Sequence, residues 1–297
     1  MSFAMHELSP PSAIPARAGI GLKARHISQV LADRPDVGWF EVHAENYMGA
    51  GGPFHRQLEQ VRADYPLSIH GVGLSLGGAG PLDFGHLERL AAVTARYAPG
   101  LVSEHLAWAA HGHVFFNDLL PLPYTEETLA QFCRHINQTQ ERLGRFILVE
   151  NPSTYLVPKG SEMDELTFLT AACVRTGCDL LFDVNNLFVT ASNHGLDAEA
   201  WLDSIPAGLV REIHLAGHAV DSAGGETIRV DDHGSHVCAE VWALYERLIA
   251  RIGPRPTLIE WDTNVPELGV LLEEAARAEA VLNRYRPQAK LPEAAYA

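Results

Sequence analysis

Histidines and carboxylates recur at the far ends of short apolar runs in this chain. The runs read Phe40-Glu41-Val42-His43-Ala44-Glu45-Asn46, Ser68-Ile69-His70, Val102-Ser103-Glu104-His105, Leu148-Val149-Glu150-Asn151, Leu181-Phe182-Asp183-Val184-Asn185-Asn186, Glu212-Ile213-His214-Leu215-Ala216-Gly217-His218 and Leu258-Ile259-Glu260-Trp261-Asp262. One histidine at a strand end is more often a hydrogen-bonded core residue than a ligand. Repetition changes that reading, because His70, His105, Glu150, Asp183, His214 and Glu260 occupy equivalent positions on six runs. So many ionisable groups facing one another in a partly buried site would be costly without a cation. Mixed imidazole and carboxylate donors suit iron, manganese or zinc, whereas magnesium and calcium seldom take so many histidines. Six donors exceed the needs of one ion, and Glu150 and Glu260 are natural bridges across the roughly 3.5–4 Å of a dinuclear site. The loop Asp231-Asp232-His233-Gly234 suggests a third ion, since Asp231 and His233 are spaced to point the same way; a plain acidic turn is its other reading.

A further set is placed to support these residues. His43, Glu45 and Asn46, with Asn151, Asn185 and Asn186, also lie at strand ends, where they would orient ligands, bind substrate or complete a coordination sphere. His218 lies one strand repeat beyond His214 and falls in a loop, and the pair His111 and His113 spans an exposed turn. Ser68, Ser75 and Ser103 have no GxSxG elbow around them, which leaves a serine hydrolase unsupported. None of Cys133, Cys173, Cys178 and Cys238 lies on the expected rim, which argues against thiol catalysis.

Strand-like runs over about 17–23, 38–45, 66–72, 100–106, 145–151, 179–185, 210–216 and 256–262 have to position these groups. Amphipathic stretches near 25–34, 54–64, 84–97, 125–142, 161–177, 197–204, 236–252 and 265–285 alternate with them, as the spacing Phe132, Ile136, Thr139, Gln140, Leu143 illustrates. Eight strand-helix units predict an α/β chain folded as a TIM (β/α)8-type barrel, whose strand ends would converge on one rim. A doubly wound open sheet has the same alternation and stays open. The pattern predicts a flexible N-terminal segment over 1–15, one barrel domain over 16–286 and a loose tail over 287–297. Gly71 to Gly80 is glycine-rich but matches no phosphate-binding motif, and reads as a flexible rim loop. Ala110 to Tyr124 is longer than a usual strand-to-helix connection. It is apolar enough to serve as a lid or substrate wall, or to pack on its own barrel.

Composition limits the partners. With 37 acidic against 22 basic residues, the formal charge of −15 repels nucleic-acid phosphates. Four cysteines without a CxxC pair predict reduced thiols, and no apolar stretch reaches signal-peptide or membrane-spanning length. The expectation is a cytoplasmic protein bound to neither nucleic acid nor membrane.

With these residues in place, the chain resembles the multinuclear non-haem iron-dependent oxidative (MNIO) enzymes, which modify ribosomally made peptides in methanobactin- and bufferin-type pathways. The likeness runs from about Gly19 to Arg286. It rests on Glu41-Val-His43-Ala-Glu45-Asn46-Tyr47, Ser68-Ile-His70-Gly71-Val-Gly73-Leu-Ser75, Ser103-Glu104-His105, Phe116-Asn117-Asp118-Leu-Leu-Pro121-Leu-Pro123-Tyr124, Val149-Glu150-Asn151, Asp183-Val-Asn185-Asn186, His214-Leu-Ala-Gly217-His218 and the Asp231/His233 pair. The resemblance implies a TIM-like barrel holding two or three iron ions of mixed Fe2+/Fe3+ state, with dioxygen as co-substrate. It implies His70 and His105 on one ion, Asp183 and His214 on a second, Glu150 and Glu260 shared, and Asp231 and His233 on a third. Members of this family act mainly on cysteines of a precursor peptide and commonly need a partner protein that grips its leader. Glu150, Glu260 and Asp183 would then be the catalytic carboxylates.

Two other functions fit the same donors. One is a multinuclear zinc or manganese hydrolase or isomerase on the same barrel, for which the acidity disfavours a nuclease. The other is a non-catalytic metal- or peptide-binding subunit.

Overall fold

The computed structural model describes residues 13–287 apart from 112, 113, 223, 224 and 226. Most of the expected N-terminal segment, all but the first residue of the expected tail, and His113 therefore lie outside the described residues. The strands in chain order are β1 (Ala18–Gly21), β2 (Phe40–His43), β3 (Leu67–His70), β4 (Leu101–His105), β5 (Trp108–His111), β6 (Val114–Leu120), β7 (Leu148–Glu150), β8 (Asp179–Asp183), β9 (Val210–Leu215), β10 (Ala219–Asp221), β11 (Ile228–Val230) and β12 (Thr257–Ile259). Eight of them close a parallel barrel in the order β1-β12-β9-β8-β7-β4-β3-β2, so the expected TIM barrel is the observed fold and the open sheet is not.

The helices are α1 (Ile27–Asp33), α2 (Pro53–Asp64), α3 (Phe84–Tyr97), α4 (Glu126–Leu143), α5 (Glu165–Thr176), α6 (Val184–His194), α7 (Ala198–Ser204), α8 (Ala239–Ile252) and α9 (Leu268–Arg284). Their ends follow local chemistry. Asp83, Thr125, Asp164, Asp183 and Asp197 each accept a backbone N–H of the first turn through the side chain. On α4, Leu129, Phe132, Cys133, Ile136 and Thr139 form one buried stripe. Among the described residues no helix is long and apolar enough to cross a membrane.

Three segments differ from the sequence reading. Val184–His194 is a helix, where a strand end and a loop were expected, because the Asp183 carboxylate caps it at once after β8. The long connection after β4 is an antiparallel hairpin, β5–β6. Its Val114 and Phe115 are exposed and Phe116 lies edge-on to Trp108, while Leu122 beyond it is buried. The glycine-rich loop is pinned, not loose: Gly77 N donates to Ala107 O, Ser75 Oγ accepts from Ala109 N and Ala110 N, and Leu74 and Leu76 are buried.

Candidate metal centre

Barrel register brings the first donors together. Parallel pairing sets His70 opposite Ser103 and His105 opposite Glu150, so both imidazoles and the carboxylate meet at the C-terminal ends of β3, β4 and β7. His70 Nε2 is 3.3 Å from Glu150 Oε2, His105 Nε2 is 3.2 Å from it, and the two Nε2 atoms are 3.3 Å apart. The other ring nitrogens are occupied: His70 Nδ1 meets Ser103 Oγ at 2.8 Å, and His105 Nδ1 donates to Gly71 O at 3.2 Å. Burial holds the His70 imidazole well below its usual range and His105 at about 4, so both rings are neutral and offer lone pairs.

Asparagines hold the next carboxylates. Asn186 Nδ2 donates to Glu150 Oε1 at 3.1 Å and to Asn151 O at 3.0 Å. Asn151 clasps the backbone of Asp183, accepting its N–H at 2.8 Å and donating to its carbonyl at 3.0 Å. Glu150, Asp183 and His214 each present a donor atom within 4.8 Å of the others. Burial pushes Glu150 well above the carboxylate range, with repulsion from Asp183 adding to it, and pushes Asp183 up to about 7.

On the other side, His214 Nδ1 lies 3.0 Å from Glu260 Oε2, and His233 Nδ1 lies 3.4 Å from the same oxygen. Burial opposes charge on both rings, yet Glu41 and Glu260 lift His214, and Asp231 and Glu260 lift His233, well above the imidazole range. Glu260 is held well below its usual range against burial, by His233 and His214. His233 Nε2 is 2.7 Å from Asp231 Oδ1. Asp231 is fixed in turn by Asn185 Nδ2 at 2.7 Å and Ser153 Oγ at 3.0 Å. His233 itself has φ +44°, a left-handed conformation that surrounding structure has to impose, here through Asp262 N donating to its carbonyl at 2.8 Å.

The remaining expected residues divide. His43 faces Glu260 Oε1 at 3.7 Å and Asp262 Oδ1 at 3.8 Å, and Asn46 lies exposed on the same small cavity of about 220 Å³. His218 Nδ1 meets Asn185 Oδ1 at 2.9 Å in the loop after β9. Glu45 turns to the glycine loop, accepting from Val72 N and Gly73 N, and His111 is exposed. Four participants were not singled out in sequence: Glu41 and Glu212, buried below His214; Asp262; and Lys23, which pairs with Asp262. A spacing of two carried the signal for three of them, because Glu41/His43, Glu212/His214 and Glu260/Asp262 repeat with the strand period.

Does this set fit metal ions? Glu150 Oε2, Asp183 Oδ2 and His214 Nε2 are buried side-chain atoms without a hydrogen-bond partner. Such atoms are costly unless something else satisfies them. Donors 3.2–3.3 Å apart, as around Glu150, surround a point about 2 Å from each, close to the usual ion-to-donor lengths of about 2.0–2.2 Å. The residues present fit clustered transition-metal ions.

A family model described as RiPP precursor modification enzyme MbnB/TglH/ChrH matches residues 17–283. The chain belongs to this family. Its relatives include proteins named UPF0276 protein. The one from Paraburkholderia phytofirmans is 51% identical over 267 residues, covering 90% of this chain and 87% of its own. The one from Caulobacter vibrioides is 51% identical over 265 residues, covering 89% and 94%. Solved structures share the barrel at far lower identity. An L-ribulose 3-epimerase has TM-score 0.58 at 14% identity, covering 95% of this chain and all of that one. Endonuclease IV from Thermus thermophilus has TM-score 0.55 at 14%, covering 91% and 98%. The IOLI protein with a bound zinc atom has TM-score 0.56 at 12%, covering 92% and 100%. At these identities the likeness is one of fold.

Proposed function

We propose that this member of the RiPP-modifying family is an iron-dependent oxidase of a ribosomally made precursor peptide, acting in the cytoplasm on a side chain, cysteine first. The observation that supports this most is the continuous chain of donors from His70 and His105, through Glu150 and Asp183, to His214, Glu260, His233 and Asp231. In the proposed arrangement His70 and His105 hold one ion, Asp183 and His214 a second, Asp231 and His233 a third, with Glu150 and Glu260 shared. Iron in that arrangement would supply the redox chemistry with dioxygen and would deprotonate a cysteine thiol bound to it.

The protein's own contribution is positional. Ser103 and Gly71 aim the Nε2 atoms of His70 and His105 inward, and Asn186 fixes Glu150. The cavity lined by Lys23, His43, Asn46, Tyr47 and Phe54 reaches Glu41 and Glu260, and in this reading it would admit a peptide side chain to the donors. The negative surface charge disfavours nucleic acid as the substrate. A separate protein that grips the leader is the proposed partner.

Coexpression with candidate precursor peptides in air, followed by mass spectrometry, tests the reading. A loss of a few hydrogens or a gain of oxygen is expected, with iron in the purified protein. Glu150→Ala and Glu260→Ala should abolish both metal loading and turnover; full activity in either would refute the shared role. The bound zinc of the fold neighbour IOLI favours a second reading, a zinc hydrolase or isomerase. Colourless zinc protein that consumes no oxygen would establish that reading, and tight peptide binding without mass change would establish a non-catalytic subunit.

A further inference from the structure

Strand alternation puts Glu104 on the face of β4 opposite to His105, away from the barrel interior. There it is 1% exposed, and its Oε1 has no hydrogen-bond partner. Two more donors meet it under the glycine loop. Glu45, from the turn after β2, uses Oε1 to accept from Val72 N at 3.0 Å and Gly73 N at 2.8 Å, which leaves Oε2 buried and unpartnered. His86, in the first turn of α3, has Nε2 3.2 Å from Glu45 Oε1. One donor atom from each of the three lies within 4.8 Å of the other two.

The loop is shaped around this group. A Cβ at Gly71 would stand 2.0 Å from Glu104 Oε1, and one at Gly73 would stand 2.9 Å from His86 Cε1 and 3.1 Å from Glu45 Oε1. Glycine at both positions is what lets the backbone lie directly on the carboxylates and the imidazole. Glu104 Oε1 and Glu45 Oε2, both buried and unpartnered, leave electron pairs unsatisfied beside the His86 ring.

We infer that Glu45, His86 and Glu104 form a separate site for one divalent transition-metal ion, outside the barrel and distinct from the centre within it. Two carboxylates with one imidazole suit Mn2+, Fe2+ or Zn2+. Donors sharing one ion at about 2.1 Å lie at most about 4.2 Å apart, so a shift of a few tenths of an ångström closes the set. The ion would tie the turn after β2 and the start of α3 to the end of β4, with the 71–80 loop held through Glu45. It would thereby steady Gly71, whose carbonyl accepts from His105 Nδ1 in the inner centre.

The test uses the full chain stripped of metal and reloaded with Zn2+ alone. Crystals at the zinc absorption edge should show an anomalous peak between Glu45, His86 and Glu104, separate from any peak near His70 and His105. His86→Ala should hold about one zinc ion per chain fewer than the wild type. Glu45→Gln, which keeps an oxygen for Val72 N and Gly73 N, should lose the same ion if the alanine variant folds poorly. Equal zinc content in wild type and variants, with no peak between the three residues at saturation, overturns the site. The anomalous peak and the zinc count read the outer site whether or not any peptide is oxidised, and peptide oxidation by mass tests the inner centre, so the two conclusions fail separately.

Discussion

The Asp183 carboxylate divides its oxygens between fold and site: Oδ1 accepts the backbone N–H of Asn186 at 2.6 Å, and Oδ2, fully buried, has no hydrogen-bond partner. The same side chain therefore starts α6 and brings a donor atom within 4.8 Å of Glu150 and His214. Asparagine caps helices as well as aspartate does, and losing such a cap costs about 1 kcal/mol. Asp183→Asn should keep α6 and the stability of the metal-free chain while losing metal and turnover; Asp183→Ala should lose roughly 1 kcal/mol as well. Thermal unfolding beside elemental analysis separates the two effects. Full metal content in the asparagine variant would remove Asp183 from the ligand set.

Asn186 follows from the same arrangement, since its backbone completes the cap and its side chain holds Glu150 Oε1. Asn186→Ala leaves the cap intact and frees the carboxylate to swing. Partners of this kind are typically worth 10–100-fold in metal affinity, so a loss of about that size is expected in competition with a chelator. Unchanged affinity would mean that Glu150 is held by the barrel register alone.

Legibility in the sequence followed how far each signal reached along the chain. The eight barrel strands were visible because buried parallel strands are short continuous apolar runs, and His70, His105 and His214 stood out against them. The helix Val184–His194 was hidden because Val184-Asn185-Asn186 continues the pattern of β8, and only the carboxylate cap at Asp183 marks the change. Glu45 and Glu104 were visible as residue types but not by direction. Whether a side chain at a strand end faces the barrel or the loop depends on the turn that follows, and that is a matter of three-dimensional packing. Glu41 and Glu212 carry only the two-residue spacing to a histidine on their own strands; that Glu41 also meets His214 is not legible, because β2 and β9 are not neighbours in the barrel.

Gly217 fixes the segment that carries His233. A Cβ there would stand 2.1 Å from Ser235 O, a backbone atom that cannot rotate aside. Gly217→Ala must push Ser235 away and with it the strained turn at His233. Overpacking of this kind costs about 1–3 kcal/mol. The ion proposed at Asp231 and His233 should leave first, while the one proposed at His70 and His105 stays. Metal content against chelator concentration checks the order; simultaneous release of all ions would show that Gly217 acts on the whole barrel.

The carboxylates beneath the ligands predict a pH dependence of the metal-free protein. Glu212 is fully buried with Ser68 Oγ donating to Oε2 at 3.4 Å, and burial, followed by repulsion from Glu41, raises it to about 7. Its folded value is thus above the 4.5 of an unperturbed glutamate. The folded state binds the proton more tightly, so the stability from the neutral form is complete below about 4.5 and is lost as pH rises through about 7. Glu212→Gln keeps an oxygen for Ser68 and carries no titratable proton. The variant, stripped of metal, should therefore match the wild type near pH 4.5 and exceed it at pH 8, by on the order of 3 kcal/mol. Denaturant midpoints across that range measure the gap. A gap that stays constant from pH 5 to 8 would mean that His214, 3.9 Å from Glu212 Oε1, keeps the carboxylate ionised throughout.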